Sequence, residues 1–471
     1  MTFHKDENIA VNRLSYLVLF VAIIVGWLIQ LLIITKGGEK SVLILGGFNV
    51  ILIFFLFNLS RKLKLPVSLI IINFLPLLYL NNEFHYRFLF ELLFSFPLFA
   101  LLLISILYFF WKHDIFLIKV TYIQKPILLV VLYSIISSII GYLNGYPIMA
   151  IFVEQYHFFY FFYAIIIYHF FSEDDYNLVN LMLVGIGVFI SLEYIFYNTQ
   201  LGYDRFVTFQ SGYLPIVVGV LFSATLVSKQ KMKYIFPLII VVMGIFVTLT
   251  RTLWVITFIT LYMVYVLNLK FTKNYSYKRL LPYLLIILLP LIFVMNLQPA
   301  TQVSENVGDA EKRAQSLTKV SEDQSFLMRI EIGYYVITEF LESPILGKGF
   351  GDAVNYQLLG NAKANIYYPD STYLYVLWKS GIIGFILFIW MFYRFMKTAF
   401  TISLKTTNKK YKFICIGLLA AFMGFAVLNL VSPLFIKYKS NIILAFVLAY
   451  VDFLSHKIEN ENDENLVSIN E

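Results

Sequence analysis

Charge is scarce in this sequence. Of its 471 residues only 14% are Asp, Glu, Lys or Arg, against roughly 25% in soluble domains. Cysteine is nearly absent: Cys415 stands alone in an apolar segment, which excludes a disulfide framework and a thiolate metal site. No His/Glu zinc spacing, glycine-rich phosphate loop or clustered acidic motif occurs, so a metal-independent reaction without a cofactor is expected. Similar halves are also missing, and an alternating-access transporter or flippase would be expected to show them. The net charge of +8 forms no nucleic-acid stripe, because the basic residues lie in short loops beside apolar segments.

What the chain has instead is hydrophobicity, at 60% of residues. Backbone in hydrocarbon must pair internally, so such segments must be helices, each of roughly 17–25 residues. About fourteen candidate spans follow, near 14–34, 41–59, 66–80, 88–111, 126–143, 147–171, 178–197, 213–228, 234–250, 252–269, 280–296, 371–393, 413–431 and 441–455. The expected fold class is all-α: a polytopic membrane helix bundle of about 12–14 transmembrane helices with one large extracytoplasmic loop containing amphipathic helices. The run after "MTFHKDENIAVNR" has no small-residue cleavage site behind it and reads as a retained first span.

With the N-terminus inside, the inner loops carry "RKLK", "KQKMK", "KFTKNYSYKR" and "RFMKTAFTISLKTTNKKYK". Roughly 22 of the 36 Lys and Arg then lie inside, against about 7 in the short outer loops. This bias puts both termini in the cytoplasm, in an inner or plasma membrane, and the 297–370 loop outside. The organisation read from this is N-terminal spans over 1–199, central spans with outer arginines over 200–296, the large loop over 297–370, C-terminal spans over 371–455 and an acidic, disordered tail over 456–471.

The loop of about 74 residues is the one place where the chain leaves the membrane for long, and such loops are usually functional. Its first part, through "QVSENVGDAEKRAQSLTKVSEDQSF", is polar and mixed in charge, as a disordered segment or a surface helix would be. In the second part Ile330, Tyr334, Ile337 and Leu341 recur at helical spacing and mark one face of an amphipathic helix, which Pro344 stops. "GKGFG" then permits a tight turn where backbone can approach a ligand, and Asp370 or Ser371 can cap the next span.

Arg251 sits at the outer end of a tight helical hairpin, where its guanidinium suits phosphate oxygens or, more plainly, lipid headgroups. Arg205 and Arg329 face the same side, and three arginines there suggest an anion site. Asp370 is the one acidic residue from Ala353 to the end of the following span; it can take a proton from a sugar hydroxyl or cap the helix. Lys379, two turns into that span, needs a partner or a phosphate. Glu154, Gln155 and His157 share an apolar span, where ionisable residues usually face the bundle interior and mark a pathway, so Glu154, like Lys379, is a substrate-binding candidate; Glu91 and Glu193 are isolated carboxylates of the same kind. The aromatic run "YHFFYFFY" at 156–163 is either packing or a sugar platform.

The segment "RIEIGYYVITEFLESPILGKGFG", followed by "PDSTYLYVLWKSGIIGFILFI", resembles the C-terminal region of the O-antigen polymerase and ligase superfamily. "TLTRTLW" is similar to that family's T-x-S-R signature, with Thr250 where serine is usual, and "DRFVTFQSG" resembles its earlier arginine-bearing loop. The likeness covers roughly residues 200–450. It implies a GT-C-like membrane glycosyltransferase that uses a glycan on undecaprenyl diphosphate as donor and a lipid-linked acceptor. A repeat-unit flippase and a chain-length regulator would be its functional partners. By position Arg205, Arg251 and Arg329 would hold the donor diphosphate. Ligases of this family carry a histidine where this chain has Asp370. The resemblance thus implies an inverting polysaccharide polymerase of the Wzy type, for exopolysaccharide, capsule or O-antigen. The alternative within the family is a ligase that moves finished glycan to lipid A core or protein. A flippase and a non-catalytic membrane scaffold are the alternatives from other classes.

Overall fold

A computed structural model describes residues 120–200, 212–248, 250–271, 324–357, 363–430, 432–433 and 438–470. The expected spans at 14–34, 41–59, 66–80, 88–111 and 280–296 lie outside the described residues, as do Glu91, Arg205 and most of the polar first part of the loop. The chain forms two compact units, one of residues 1–119 and 166–182, the other of 120–165 and 183–471. In the first unit, a helix start is fixed by Asp175, whose carboxylate accepts from the N–H and hydroxyl of Ser172 at 2.8 and 2.6 Å.

The described helices are α1 (Gln124–Leu143), α2 (Ile148–Phe159), α3 (Tyr163–Phe170), α4 (Glu173–Gln200), α5 (Leu214–Val227), α6 (Met232–Val247), α7 (Arg251–Phe271), α8 (Gln324–Glu342), α9 (Thr372–Lys405), α10 (Lys409–Leu428) and α11 (Tyr438–Asn470). Between α8 and α9 lies an antiparallel ribbon of β1 (Val354–Gln357) and β2 (Lys363–Ile366), with Val354 opposite Ile366 and Gln357 opposite Lys363. Among the described residues seven helices are long and apolar enough to cross a membrane: Gln124–Leu143, Ile148–Phe170, Glu173–Ile195, Thr252–Phe271, Thr372–Lys405, Lys409–Leu428 and Asn441–Asn460. The protein is an all-α polytopic membrane protein, the short ribbon being the one local departure among the described residues.

In the second unit, α5, α7 and α10 pack with backbones in close approach. A Cβ on Gly219 would lie 2.5 Å from the Gly417 carbonyl oxygen, and one on Gly417 would lie 2.6 Å from that of Gly219. Small residues at helix contacts are how membrane helices gain van der Waals packing without a hydrophobic drive between them. Trp254 of α7 donates to the Ile245 carbonyl of α6 at 3.3 Å, closing the tight hairpin whose turn precedes Arg251.

The stripe Ile330, Tyr334, Ile337 and Leu341 of α8 is exposed, while Ile332 and Val336, on another face, pack with Val354 and Trp378. Periodicity identifies an apolar stripe but not what it meets. One expectation changes: α11 stays helical through Asn470, where acidic composition suggests a disordered end.

Candidate functional site

The site is built on a break in α9. At Gly381 the backbone takes φ 62°, ψ −170°, a conformation essentially reserved for glycine. A broken helix leaves carbonyls and N–H groups unpaired, which hydrocarbon does not tolerate unless protein supplies partners. The loop 344–352 supplies them. Lys348 N–H donates to the Trp378 carbonyl (2.9 Å) and Gly349 N–H to that of Lys379 (3.0 Å), while Pro344 and Ile345 accept from the N–H groups of Ile382 (2.9 Å) and Ile383 (3.5 Å). Phe350 N–H reaches the Ser137 carbonyl of α1 at 3.0 Å. Glycine is required for this fit: a Cβ on Gly347 would lie 2.5 Å from the Gly381 nitrogen, and one on Gly381 2.3 Å from the Ile345 oxygen. The "GKGFG" turn does allow a close backbone approach, but what approaches is the chain itself.

Lys379 and Glu154 meet at the base of this junction, 3.0 Å apart, with side chains 0% and 1% exposed. Both are otherwise satisfied by the loop. Lys379 also donates to the Asp352 carbonyl, and Glu154 accepts from Gly351 N–H at 3.0 Å. The Lys379 ammonium stands 4.1 Å from the Trp378 ring centre, and Trp378 donates to the Asp352 carboxylate at 2.9 Å. Thus α2, α9 and the loop are clasped by one buried ion pair. Gln155 joins α2 to α1 instead, through Ser134 and Ser138. His157 is buried, its carbonyl accepting from Asn441 at 2.8 Å. Glu193 is buried in α4. The run 156–163 is packed inside: Phe158 stacks on Phe350 and Tyr375 at 5.3 and 6.5 Å.

Above the clasp, Arg329 of α8 donates from Nε to Asp370 Oδ2 at 2.9 Å, with side chains 36% and 47% exposed. The structure therefore brings together two residues from separate elements, and leaves them open to solvent. Asp370 does not cap α9. Ser371 does, accepting from Leu374 N–H at 3.4 Å. Tyr368, two residues before Asp370, stacks on Tyr375 at 5.7 Å and so carries an aromatic column from the surface inward. Arg251 is the first residue of α7, with Thr250 O accepting from Leu253 and Trp254 N–H. Its side chain, like Arg205, lies outside the described residues.

Two further residues shape the site without a sequence signal of their own. Asp352 falls one residue before the stretch in which Asp370 stands out. Asn429, at the end of α10, accepts from Thr372 N–H and the Ser371 hydroxyl through its carbonyl, and from the Thr372 hydroxyl through its side chain. Away from the site, Asp452 of α11 accepts from Thr121 and Gln124 at 2.5 and 3.0 Å. Outside the spans, burial would lower the Lys348 ammonium, but hydrogen bonds to Glu342 and Glu339 raise it above the usual range instead. Burial, and then the Asp352 carboxylate, pushes Tyr146 up to about 12. Among the described residues no group of three or more His, Cys, Asp and Glu is placed to hold a metal ion.

No curated protein matches the chain. Residues 236–389, which run from α6 into α9 and include Arg251, Arg329, the loop, Asp370 and Lys379, match the family model Wzy_C, described as O-antigen ligase. Over this segment, about a third of the chain, the sequence is similar to the O-antigen ligase family.

Proposed function

We propose that this membrane protein is a glycosyltransferase, a polysaccharide polymerase, which transfers a growing glycan from undecaprenyl diphosphate to the non-reducing end of another lipid-linked repeat unit at the outer leaflet. The observation that supports this most is the open Arg329–Asp370 pair inside the matched segment. An exposed pair of this kind is worth at most about 1 kcal/mol, so a diphosphate can displace Asp370 from Arg329. That exchange does two things at once: the guanidinium takes the anion, and the carboxylate becomes free to accept a proton.

The acceptor hydroxyl oxygen then attacks the anomeric carbon. Its proton goes to Asp370, the carbon–oxygen bond to phosphate breaks, and undecaprenyl diphosphate leaves with the bonding pair. The configuration inverts. Arg329, with Arg251 and Arg205, holds the charge that grows on the departing diphosphate, an interaction stronger in the transition state than before it. Lys379 and Glu154 act from below, holding the loop and α9 in the geometry that sets Asp370 beside Arg329.

The test is complementation of a deletion strain with Asp370→Asn and Arg329→Ala. Loss of long polymer, with single repeat units accumulating on lipid at normal protein level, supports the polymerase. Full-length polymer from both variants overturns the assignment. A ligase is the second reading, favoured by the match to a family described as O-antigen ligase. In that case polymer of full length accumulates on lipid and is not passed on.

A further inference from the structure

The exposed apolar stripe of α8 lacks a role in the site described above. At about 100° per residue, the helix divides into three faces. Ile332, Gly333 and Val336 point inward and are buried. Glu331, Thr338 and Glu342 are exposed on a polar face. Between them Leu327, Ile330, Tyr334, Ile337 and Leu341 form a second apolar face, with Ile330, Tyr334 and Leu341 exposed by 55, 69 and 65%. A helix bathed in water on two faces has no reason for the third kind.

What covers this face is indicated by its neighbours. Just past the end of α8, Ile345 and Leu346 are also exposed, and Ile345 is hydrogen-bonded to Ile383 of α9. From there Ile382, Ile383, Ile386 and Ile389 continue the exposed apolar strip along a helix long and apolar enough to span a membrane. The strip of α8 is thus continuous with a lipid-facing strip. Depth agrees. Arg394 stacks on Tyr122 at 3.5 Å and on Trp390 at 5.5 Å, as cations and aromatics do at a membrane boundary. At about 1.5 Å per residue, Gly381 is roughly 20 Å from Arg394 and Trp378 roughly 24 Å, inside a hydrocarbon layer of about 30 Å. Val336 of α8 packs against Trp378, at the outer edge of that layer.

We infer that α8 lies in the membrane interface, with Leu327, Ile330, Tyr334, Ile337 and Leu341 seated in lipid and Glu331, Thr338 and Glu342 turned to water. This part of the 297–370 loop therefore rests on the membrane instead of leaving it. The lipid surface is the partner, through the mode used by interfacial amphipathic helices. This inference does not depend on the reaction proposed above.

The test uses the full chain with Cys415→Ser, reconstituted in phosphatidylcholine nanodiscs. Single cysteines carrying a fluorescent label are placed at Ile330, Ile337 and Leu341, and separately at Glu331 and Thr338; Ile386 serves as the lipid reference. All are exposed, so the core is untouched. Lipids bearing a nitroxide on the upper acyl chain should quench Ile330, Ile337 and Leu341 several-fold more than Glu331 and Thr338, and close to the Ile386 level. Aqueous iodide should show the reverse order. Iodide reaching all five loop positions equally overturns the proposal. So does protection of Ile330, Ile337 and Leu341 from both quenchers, which means that protein covers the face.

Discussion

Arg329 Nε donates to Asp370 Oδ2 across 2.9 Å, joining α8 to the residue just before the cap of α9. Because the pair is open to solvent, its removal should barely affect folding, at about 1 kcal/mol or less. Asp370→Asn keeps the shape and an oxygen acceptor but cannot take a proton. Polymer synthesis should fall by about 10²–10⁴-fold if the carboxylate is the base. Membrane protein level and thermal stability should match the parent. Gel analysis of chain length beside a stability measurement separates the two effects.

The buried pair beneath it behaves oppositely. Lys379 and Glu154 are shielded from water and held to each other at 3.0 Å. Lys379→Met strands a carboxylate in a closed interior, a change that costs about 3–5 kcal/mol. The variant should be poorly folded and lower in melting temperature in detergent. Combining it with Glu154→Gln removes the stranded charge and should recover part of the loss. A double variant no more stable than Lys379→Met alone would argue against a clasp.

Gly381→Ala tests the break in α9. The new methyl would need φ near +62° and would meet the Ile345 oxygen at 2.3 Å. Either the helix straightens or the loop is expelled, and both unpair the backbone between 344–349 and 378–383. Limited proteolysis of the loop should accelerate and activity should be lost. By contrast, Gly185→Ala has nothing within 4 Å of the added Cβ and should behave as the parent.

Much of this arrangement can be read from hydropathy. The spans near 126–143, 252–269 and 413–431 meet α1, α7 and α10 within a few residues, because a 20-residue apolar segment has few alternatives in lipid, while the one near 213–228 meets α5, whose 14 residues fall short of a full span. Arg329 and Asp370 also stand out as charges at element ends. Their contact is not legible, since it depends on how α8 folds back. Lys379 and Glu154 each call for a partner, yet they are 225 residues apart and local pattern cannot pair them. The break at Gly381 is hidden in the apolar run "GIIGFILFIW", because its cost is met by a distant loop. The stripe on α8 is read correctly as apolar but faces outward, since periodicity carries no information on which of two apolar faces meets protein.

Arg251 offers the sharpest test of the anion site. It opens α7, directly after the turn that Trp254 ties back to Ile245. Arg251→Ala removes a guanidinium without touching that hydrogen bond, so the hairpin should persist. If the residue grips the departing diphosphate, long-chain polymer should vanish while protein level stays normal. Arg251→Lys is the informative companion. An ammonium keeps the charge but not the planar fork that engages two phosphate oxygens together. Partial activity with shorter chains is therefore expected, between the parent and the alanine variant. A lysine variant as inactive as alanine would point to fork geometry as the requirement. An alanine variant with unchanged chain length would remove Arg251 from the donor site altogether and leave Arg329 to act without it.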